Sequence, residues 1–330
     1  MYCRLSACAV EILQNQMKPT FSEVHPELRQ IAAHMPAVTL SRRNFRILRF
    51  LTKGRWGTVI PKGVRIENIY IAGRSPERNI RLRLYRGASM AVPAGALIWL
   101  HGGGFVSGSP EGDDGCCSQY AHEAGILVVS VDYRLAPEHP FPAALDDVQA
   151  TFEWVAAQAG KLGVDPARIA IGGASAGGGL AAGLAQRLRD QGGIKPSFQL
   201  LIYPMLDDRT TQGSDPALLR YHTWNPGSNR FGWQSYLGTA YPPADVPAYA
   251  VPARRADLSG LPPAWIGVGS LDLFCRESSD YAQLLTQCGV SCQLEVVAGA
   301  FHGFDEMAPR AEVVKAFRRA QVEALKRALG

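Results

Sequence analysis

The chain has 330 residues, of which 47% are hydrophobic and 19% charged, so it is long enough to bury a full globular core with a smaller unit added. Its net charge of +5 is mild and its lysines and arginines are scattered, which argues against nucleic acid as a partner. Seven cysteines without a C-x-x-C pair predict neither a disulfide framework nor a metal site, and free thiols predict a cytoplasmic protein.

The N-terminal stretch makes a poor signal peptide. Glu11 interrupts its short apolar run, no small-residue cleavage site follows, and the run is too short to span a membrane. Stable membrane insertion is therefore not expected. Met17 offers an alternative start, and the sequence leaves open whether residues 1–16 are native. Apolar residues at helical spacing between 21 and 55 predict short helices outside a sheet.

Eight stretches have the pattern of β-strands. Residues 80–86 alternate strictly between apolar and polar, which predicts a strand with one solvent-exposed face near a sheet edge. Residues 96–100 and 126–131 are apolar throughout, which is typical of parallel strands covered on both faces. The predicted strands are 64–71, 80–86, 96–100, 126–131, 168–172, 198–203, 264–269 and 292–297.

Helices alternate with these strands. Apolar residues at helical spacing predict helices at 143–162, 176–190 and 277–288 and from about 310 to 329, so the chain is predicted to form a doubly wound, mostly parallel sheet. Residues 205–260 do not fit the alternation and are too long for a simple loop, which predicts an inserted lid. A surface excursion with its own small core is the alternative. The aromatic residues of this insertion are Tyr221, Trp224, Phe231, Trp233, Tyr236, Tyr241 and Tyr249.

The sequence Gly173-x-Ser175-x-Gly177 lies between a predicted strand and a predicted helix. That context is typical of a nucleophile elbow, in which a serine is held in a strained turn. The flanking glycines let two backbone segments pass close together where a Cβ would clash. By itself the motif also fits a loop rich in glycine, serine and alanine. A catalytic role for Ser175 therefore requires the other parts of a catalytic site elsewhere in the sequence.

Three consecutive glycines follow the predicted strand 96–100, in the sequence His101-Gly-Gly-Gly-Phe. The N–H groups of Gly103 and Gly104, with that of Ala176 just after the serine, can converge on a developing negative charge. A phosphate-binding loop is disfavoured because no Lys-Ser/Thr follows the glycines.

A base and an acid are needed beside the serine. His302 follows the last predicted strand and is the preferred base, whereas His101 is expected to hold the glycine loop in shape. Asp272 ends the penultimate strand and is the preferred acid, although an aspartate there is often only a helix cap. The remaining candidates for the acid are Asp207, Asp208 and Glu277.

Together with the sequence DYRLAPEHPFPAA at 132–144, these motifs resemble the hormone-sensitive-lipase group of α/β-hydrolase esterases. The resemblance covers residues 60 to 330 approximately and implies an α/β-hydrolase fold, with an eight-stranded, mostly parallel sheet flanked by helices. It implies a helical cap from residues 1–55 and the insertion 205–260, beside a catalytic core of residues 56–204 and 261–330. The implied roles are nucleophile for Ser175, base for His302, acid for Asp272 and oxyanion donors for Gly103, Gly104 and Ala176.

We therefore expect a carboxylic-ester hydrolase that forms an acyl-enzyme without cofactor or metal and acts on small-molecule esters with short to medium acyl chains. A homodimer is left open. An amidase or lactonase on the same triad, or a ligand-binding member without catalysis, remains an alternative; the latter is disfavoured because His302 is present. Ala174 stands where the family often has Asp. After Asp272, Leu273 and Arg276 replace the Pro and the acidic residue that are usual in the family, so the packing of this loop is left open.

Overall fold

The computed structural model describes residues 22–35, 38–52, 60–74, 79–210, 223–238 and 244–330. Part of the predicted cap, including Tyr221, Tyr241 and residues 1–21, lies outside the described residues. Each of the eight predicted strands is present. The largest difference is at the fifth strand, which starts at Val164, four residues earlier than predicted. The strands are β1 (Val64–Ala72), β2 (Asn79–Gly87), β3 (Ala94–Leu100), β4 (Leu127–Val131), β5 (Val164–Ala174), β6 (Gln199–Ile202), β7 (Ala264–Gly269) and β8 (Cys292–Val297).

These strands form one sheet in the order β1-β2-β4-β3-β5-β6-β7-β8. β2 runs antiparallel to β1 and β4, and the remaining neighbours are parallel. The prediction of a mostly parallel eight-stranded sheet is confirmed. Because the sheet is parallel here, the carboxyl ends of β3, β5, β7 and β8 meet at one edge, and the loops that follow them contain the predicted site residues.

The prediction of a solvent-exposed face on β2 is wrong. The strand lies next to the edge of the sheet as expected, but Arg83 is buried and Arg81 and Arg86 are half-buried. Arg83 is buried and donates two hydrogen bonds to Asp114, at 2.7 and 3.0 Å, and the buried Tyr85 hydroxyl donates to the same carboxylate at 2.8 Å. The alternating pattern therefore marks ion pairing with a distant element and not exposure to water.

Helices cover both faces of the sheet. The helix α3 (Asp114–Glu123) was not predicted, because the face that it buries includes Asp114 and Ser118 and so lacks an apolar stripe. The predicted helix 143–162 is divided into α4 (Ala143–Ala157) and α5 (Ala159–Leu162) and ends at Gly163, whose φ of 70° is left-handed. The helices are α1 (Arg29–His34), α2 (Phe45–Thr52), α3 (Asp114–Glu123), α4 (Ala143–Ala157), α5 (Ala159–Leu162), α6 (Ala176–Gln191), α7 (Pro226–Leu237), α8 (Cys275–Gln287), α9 (Phe304–Met307) and α10 (Glu312–Leu329).

The core lies on both sides of the sheet. Along β3, Leu97 and Trp99 pack in one apolar layer, and Ile98 and Leu100 pack in the opposite one. This double coverage explains the uninterrupted apolar pattern of the strand. In the described ranges, no helix has both the length and the apolar character needed to cross a membrane.

Candidate active site

Ser175 occupies a sharp turn between β5 and α6, with φ 55° and ψ −119°. This left-handed φ is costly for a residue with a side chain, so the surrounding structure must hold it. A Cβ on Gly173 would lie 2.5 Å from the carbonyl carbon of Gly177, and one on Gly177 would lie 2.5 Å from the carbonyl oxygen of His101. Both positions therefore require glycine, as the elbow motif predicts.

Asp272, His302 and Ser175 form a continuous chain of hydrogen bonds. Asp272 Oδ2 lies 2.8 Å from His302 Nδ1, and His302 Nε2 lies 3.0 Å from Ser175 Oγ. The other carboxylate oxygen of Asp272 accepts a hydrogen bond from the N–H of Phe274 at 2.9 Å, which sets the orientation of the carboxylate. The structure thus brings together three residues that follow three different strands.

Aromatic side chains hold the imidazole of His302 from two directions. The ring centroid of Tyr203 lies 4.7 Å away and that of Phe274 lies 5.1 Å away, both edge-on. The Tyr203 hydroxyl donates to Asp305 at 2.8 Å, three residues beyond His302. Sequence reasoning missed both aromatic residues, because each is buried and resembles an ordinary core residue in the sequence.

The glycine loop passes beside the elbow, since a Cβ on Gly102 would lie 3.5 Å from Ser175 Cβ. Gly103 and Gly104 have φ values of 114° and 61°, and within the described part of the chain no acceptor bonds to their N–H groups. Ala176 begins α6, where N–H groups have no partner inside the helix. The three predicted donors are therefore available to a ligand.

The aromatic residues of the insertion have different surroundings. The Trp224 indole covers Gly104, where a Cβ would collide with the ring, and its centroid lies 6.3 Å from that of His302. Trp233 and Tyr236 instead pack on Phe105, with centroid separations of 5.3 and 3.9 Å. Of the three rings Trp224, Trp233 and Tyr236, Trp224 is the one that lies over a glycine of the loop.

The rival candidates have other bonding partners. His101 is buried, its Nδ1–H donates to Gly102 O at 2.8 Å, and it stacks on Tyr133 with 4.2 Å between centroids. Burial lowers the pKa of His101, which favours the neutral imidazole. His101 therefore holds the loop, as expected.

The alternative acids are bonded away from the imidazole. Asp207 bonds to Arg209 and Asp208 bonds to Arg254, each through both carboxylate oxygens. Glu277 accepts hydrogen bonds from Leu206 N at 2.7 Å and from the hydroxyl of Thr210, and burial raises its pKa well above the usual range.

The three residues that depart from the family pattern lie in different surroundings. Leu273 is buried in the core, and the side chain of Arg276 is 93% exposed at the surface of α8. Ala174 lines a cavity of about 320 Å³ together with Tyr203, Asp113 and Arg318. Across the residues that the structure describes, no group of three or more His, Cys, Asp or Glu side chains could hold a metal ion.

Residues 97–306 match the sequence profile of a family described as the alpha/beta hydrolase fold. The chain therefore belongs to this family, in its hormone-sensitive-lipase-like group of esterases, and it is a carboxylic-ester hydrolase of the serine hydrolase class. It is 38% identical over 248 residues to "Esterase LipI" of Mycobacterium tuberculosis, and the match covers 73% of this chain and 75% of the relative. It is 37% identical over 262 residues to "Carboxylesterase NlhH" of the same species, and this match covers 76% of this chain and 79% of the relative.

Solved structures show the same similarity over a larger part of the chain. The structure of "Bacterial Heroin Esterase" superposes with a TM-score of 0.85 at 34% identity, and the match covers 94% of this chain and 100% of that one. The structure of esterase LipW from Mycobacterium marinum has a TM-score of 0.82 at 32% identity, covering 94% and 98%.

Proposed function

We propose that this enzyme hydrolyses carboxylic esters through an acyl-enzyme formed on Ser175, with His302 as base and Asp272 as the acid that orients it. The observation that supports these roles is the hydrogen-bonded sequence of atoms from Asp272 Oδ2 through the imidazole to Ser175 Oγ. Each separation is within the range needed for proton transfer by a positioned base.

The proposed reaction has two steps, formation of the acyl-enzyme and its hydrolysis. Ser175 Oγ attacks the ester carbonyl while His302 Nε2 takes the hydroxyl proton, and the imidazolium is stabilised by Asp272 through Nδ1–H. The imidazolium then gives its proton to the leaving alkoxide, which departs as an alcohol. A water molecule next gives a proton to Nε2 as its oxygen attacks the acyl carbon. The bond between that carbon and Ser175 Oγ then breaks, the carboxylic acid leaves, and Nε2 returns the proton to Oγ.

The negative charge on the carbonyl oxygen needs donors that are in place before the reaction. We assign this role to the N–H groups of Gly103, Gly104 and Ala176, because no acceptor in the described residues competes for the loop donors and the loop adjoins Ser175. The left-handed φ values of the two glycines are part of the same arrangement, since they let the backbone turn its N–H groups without a side chain in the way.

We also assign residues 1–55 and 205–260 to a cap that limits the length of the acyl chain. Contacts among the described residues support this assignment: Phe45 of α2 packs on Phe231 of α7 at 5.7 Å, and Trp224 covers Gly104. A wall of this kind leaves a finite space for the acyl group, so the proposed substrates are esters with short to medium acyl chains.

The test is Ser175→Ala. Because the hydroxyl is the attacking atom, kcat on p-nitrophenyl butyrate is expected to fall by roughly five to six orders of magnitude, with an unchanged thermal unfolding midpoint. A fluorophosphonate should label Ser175 in the parent protein, as located by peptide mass spectrometry. Ser118→Ala removes another buried serine and is the matched control. Near-normal turnover of the Ser175→Ala protein would falsify the mechanism. A separate panel of amides and lactones, assayed with the parent protein, defines which leaving groups the enzyme accepts.

A further inference from the structure

The helix α2 has one face fixed to the protein. Phe45 is buried, and Arg49 Nε donates to Val106 O at 2.7 Å while its other nitrogens bond to Ala136 O and to Glu138. These contacts join α2 to the segment that follows the glycine loop. The orientation of the opposite face is thereby set.

The opposite face combines exposed apolar side chains with positive charge, and the Arg46 guanidinium lies 5.7 Å from the centroid of the Phe45 ring. Ile47 is 63% exposed and Phe50 is 78% exposed, and their spacing of three residues places them on one side of the helix. Arg46 lies on the same side, one helical turn before Phe50, and Arg42 and Arg43 are exposed in the turn that precedes the helix. In the ranges that the structure describes, Arg42, Arg43 and Arg46 form no ion pair with a carboxylate.

A groove beside this face gathers the same charges. It has a volume of about 770 Å³, and Arg42, Arg43 and Arg46 line it together with Phe45 and Phe231. The polar side chains of Gln234 and Ser235 also line it. Three guanidinium groups beside two phenylalanine rings favour an anionic group attached to an apolar body. Composition alone does not predict this cluster, because lysines and arginines are scattered over the chain as a whole.

We propose that the outward face of α2 and the turn before it, defined together as Arg42, Arg43, Arg46, Ile47 and Phe50, dock on an anionic lipid surface. The arginines bind lipid phosphate groups, and Ile47 and Phe50 enter the boundary between headgroups and acyl chains. Eight residues of helix extend about 12 Å, far less than a bilayer requires, so the helix lies in the plane of the surface.

Two other occupants fit this face less well. A second copy of the chain, related by twofold symmetry, would bring the arginines of both copies together and would be opposed by like-charge repulsion. A nucleic acid would use the arginines but has no role for the exposed Ile47, since an aliphatic side chain does not stack on bases as an aromatic ring does. The anionic lipid surface uses both components.

The experiment is co-sedimentation of the full chain with vesicles at 50 mM NaCl. We expect binding to vesicles of phosphatidylcholine with 30% phosphatidylglycerol and little binding to phosphatidylcholine alone. Raising NaCl to 500 mM should weaken binding, because salt screens the arginines. Ile47→Ser with Phe50→Ser, and separately Arg42→Gln with Arg43→Gln and Arg46→Gln, should each lower the partition coefficient by roughly tenfold or more.

Matched controls use side chains of the same kind elsewhere. Tyr70→Ser removes an apolar side chain that is 67% exposed on β1, and Arg276→Gln removes an exposed arginine on α8; both should bind as the parent does. Far-ultraviolet circular dichroism and the unfolding midpoint verify the fold of every variant. Parent protein that stays in the supernatant with anionic vesicles overturns the proposal, as does equal binding by the α2 variants. A dimer that Ile47→Ser with Phe50→Ser dissociates, without lipid binding, would assign the face to self-association instead.

Discussion

Two buried aspartates near the site have different partners and should respond differently to the same substitution. Asp272→Asn is expected to lower kcat by about four orders of magnitude, because the amide favours the wrong tautomer of His302. Asp208→Asn instead weakens the bidentate pair with Arg254, so the unfolding midpoint should fall while kcat stays within tenfold. Steady-state kinetics and thermal unfolding of both variants separate the two effects. Comparable losses of kcat at the two positions would contradict the assignment of the acid.

The carboxyl of Asp113 should make stability depend on pH. Asp113 is buried and accepts a hydrogen bond from Trp99 Nε1 at 2.5 Å, and burial raises its pKa from 3.8 to about 7. The folded state therefore holds a proton that the unfolded state releases above about pH 4. This contribution is fully present below the unfolded pKa and is lost as pH rises through about 7.

The prediction is a free energy of unfolding in urea that falls by about 1 to 3 kcal/mol between pH 5 and pH 8 from this group. Asp113→Asn keeps an oxygen for Trp99 but cannot ionise, so its slope should be smaller and its stability at pH 8 higher. The slopes are compared from urea titrations at four pH values. Identical slopes in the two proteins would show that Asp113 titrates normally.

At the scale of elements, the buried ion pair between β2 and α3 should contribute more to the free energy of unfolding than an exposed ion pair on the same sheet. Asp114→Asn removes the nearest carboxylate of the buried Arg83 and leaves Glu111 at 3.9 Å, which is expected to cost about 3 to 5 kcal/mol of unfolding free energy. Glu67→Gln weakens the pair with the largely exposed Arg65 and the longer pair with Arg86 at 3.9 Å, and should cost less than about 1 kcal/mol. Urea unfolding at pH 7 measures both. Similar costs at the two positions would mean that the burial of Arg83 has little energetic weight.

Strand positions and the turn at Ser175 could be predicted because their causes are local. A run of apolar residues covered on both faces, or a glycine pair around a strained serine, leaves a pattern in neighbouring residues. The environment of β2 and the existence of α3 could not be predicted. The polar side chains of Arg83 and Asp114 are buried because they bond to each other, and they lie 31 positions apart in the sequence. The same holds for Tyr203, whose contact with His302 joins two distant loops.

At the scale of the whole molecule, the proposed cap should limit acyl-chain length. Each buried methylene stabilises the bound acyl group by about 0.8 kcal/mol until the space is full, and further length must displace packed side chains. Catalytic efficiency on p-nitrophenyl esters should therefore rise from acetate to a maximum near butyrate or hexanoate and then fall. The series is measured without lipid, from acetate to palmitate. A steady rise through palmitate with activation at an oil-water interface would indicate a cap that opens as a lipase lid.

The cytoplasmic location and the domain boundaries stay predictions from composition and resemblance, and a homodimer stays open. The family and the fold, in contrast, were both predicted from the combination of motifs, because the spacing of the serine, aspartate and histidine along the sequence follows the order of the strands in the sheet.

Two adjacent residues of the insertion touch both ends of the proposed catalytic apparatus. Thr223 donates a hydrogen bond to the carbonyl oxygen of His302 at 2.6 Å, and the Trp224 indole covers Gly104. A lineage that altered this dipeptide to admit a new ester would also displace the base and the oxyanion loop. Selection on substrate range is thereby coupled to selection on rate, and we expect this dipeptide to vary less among relatives of differing specificity than the rest of the insertion.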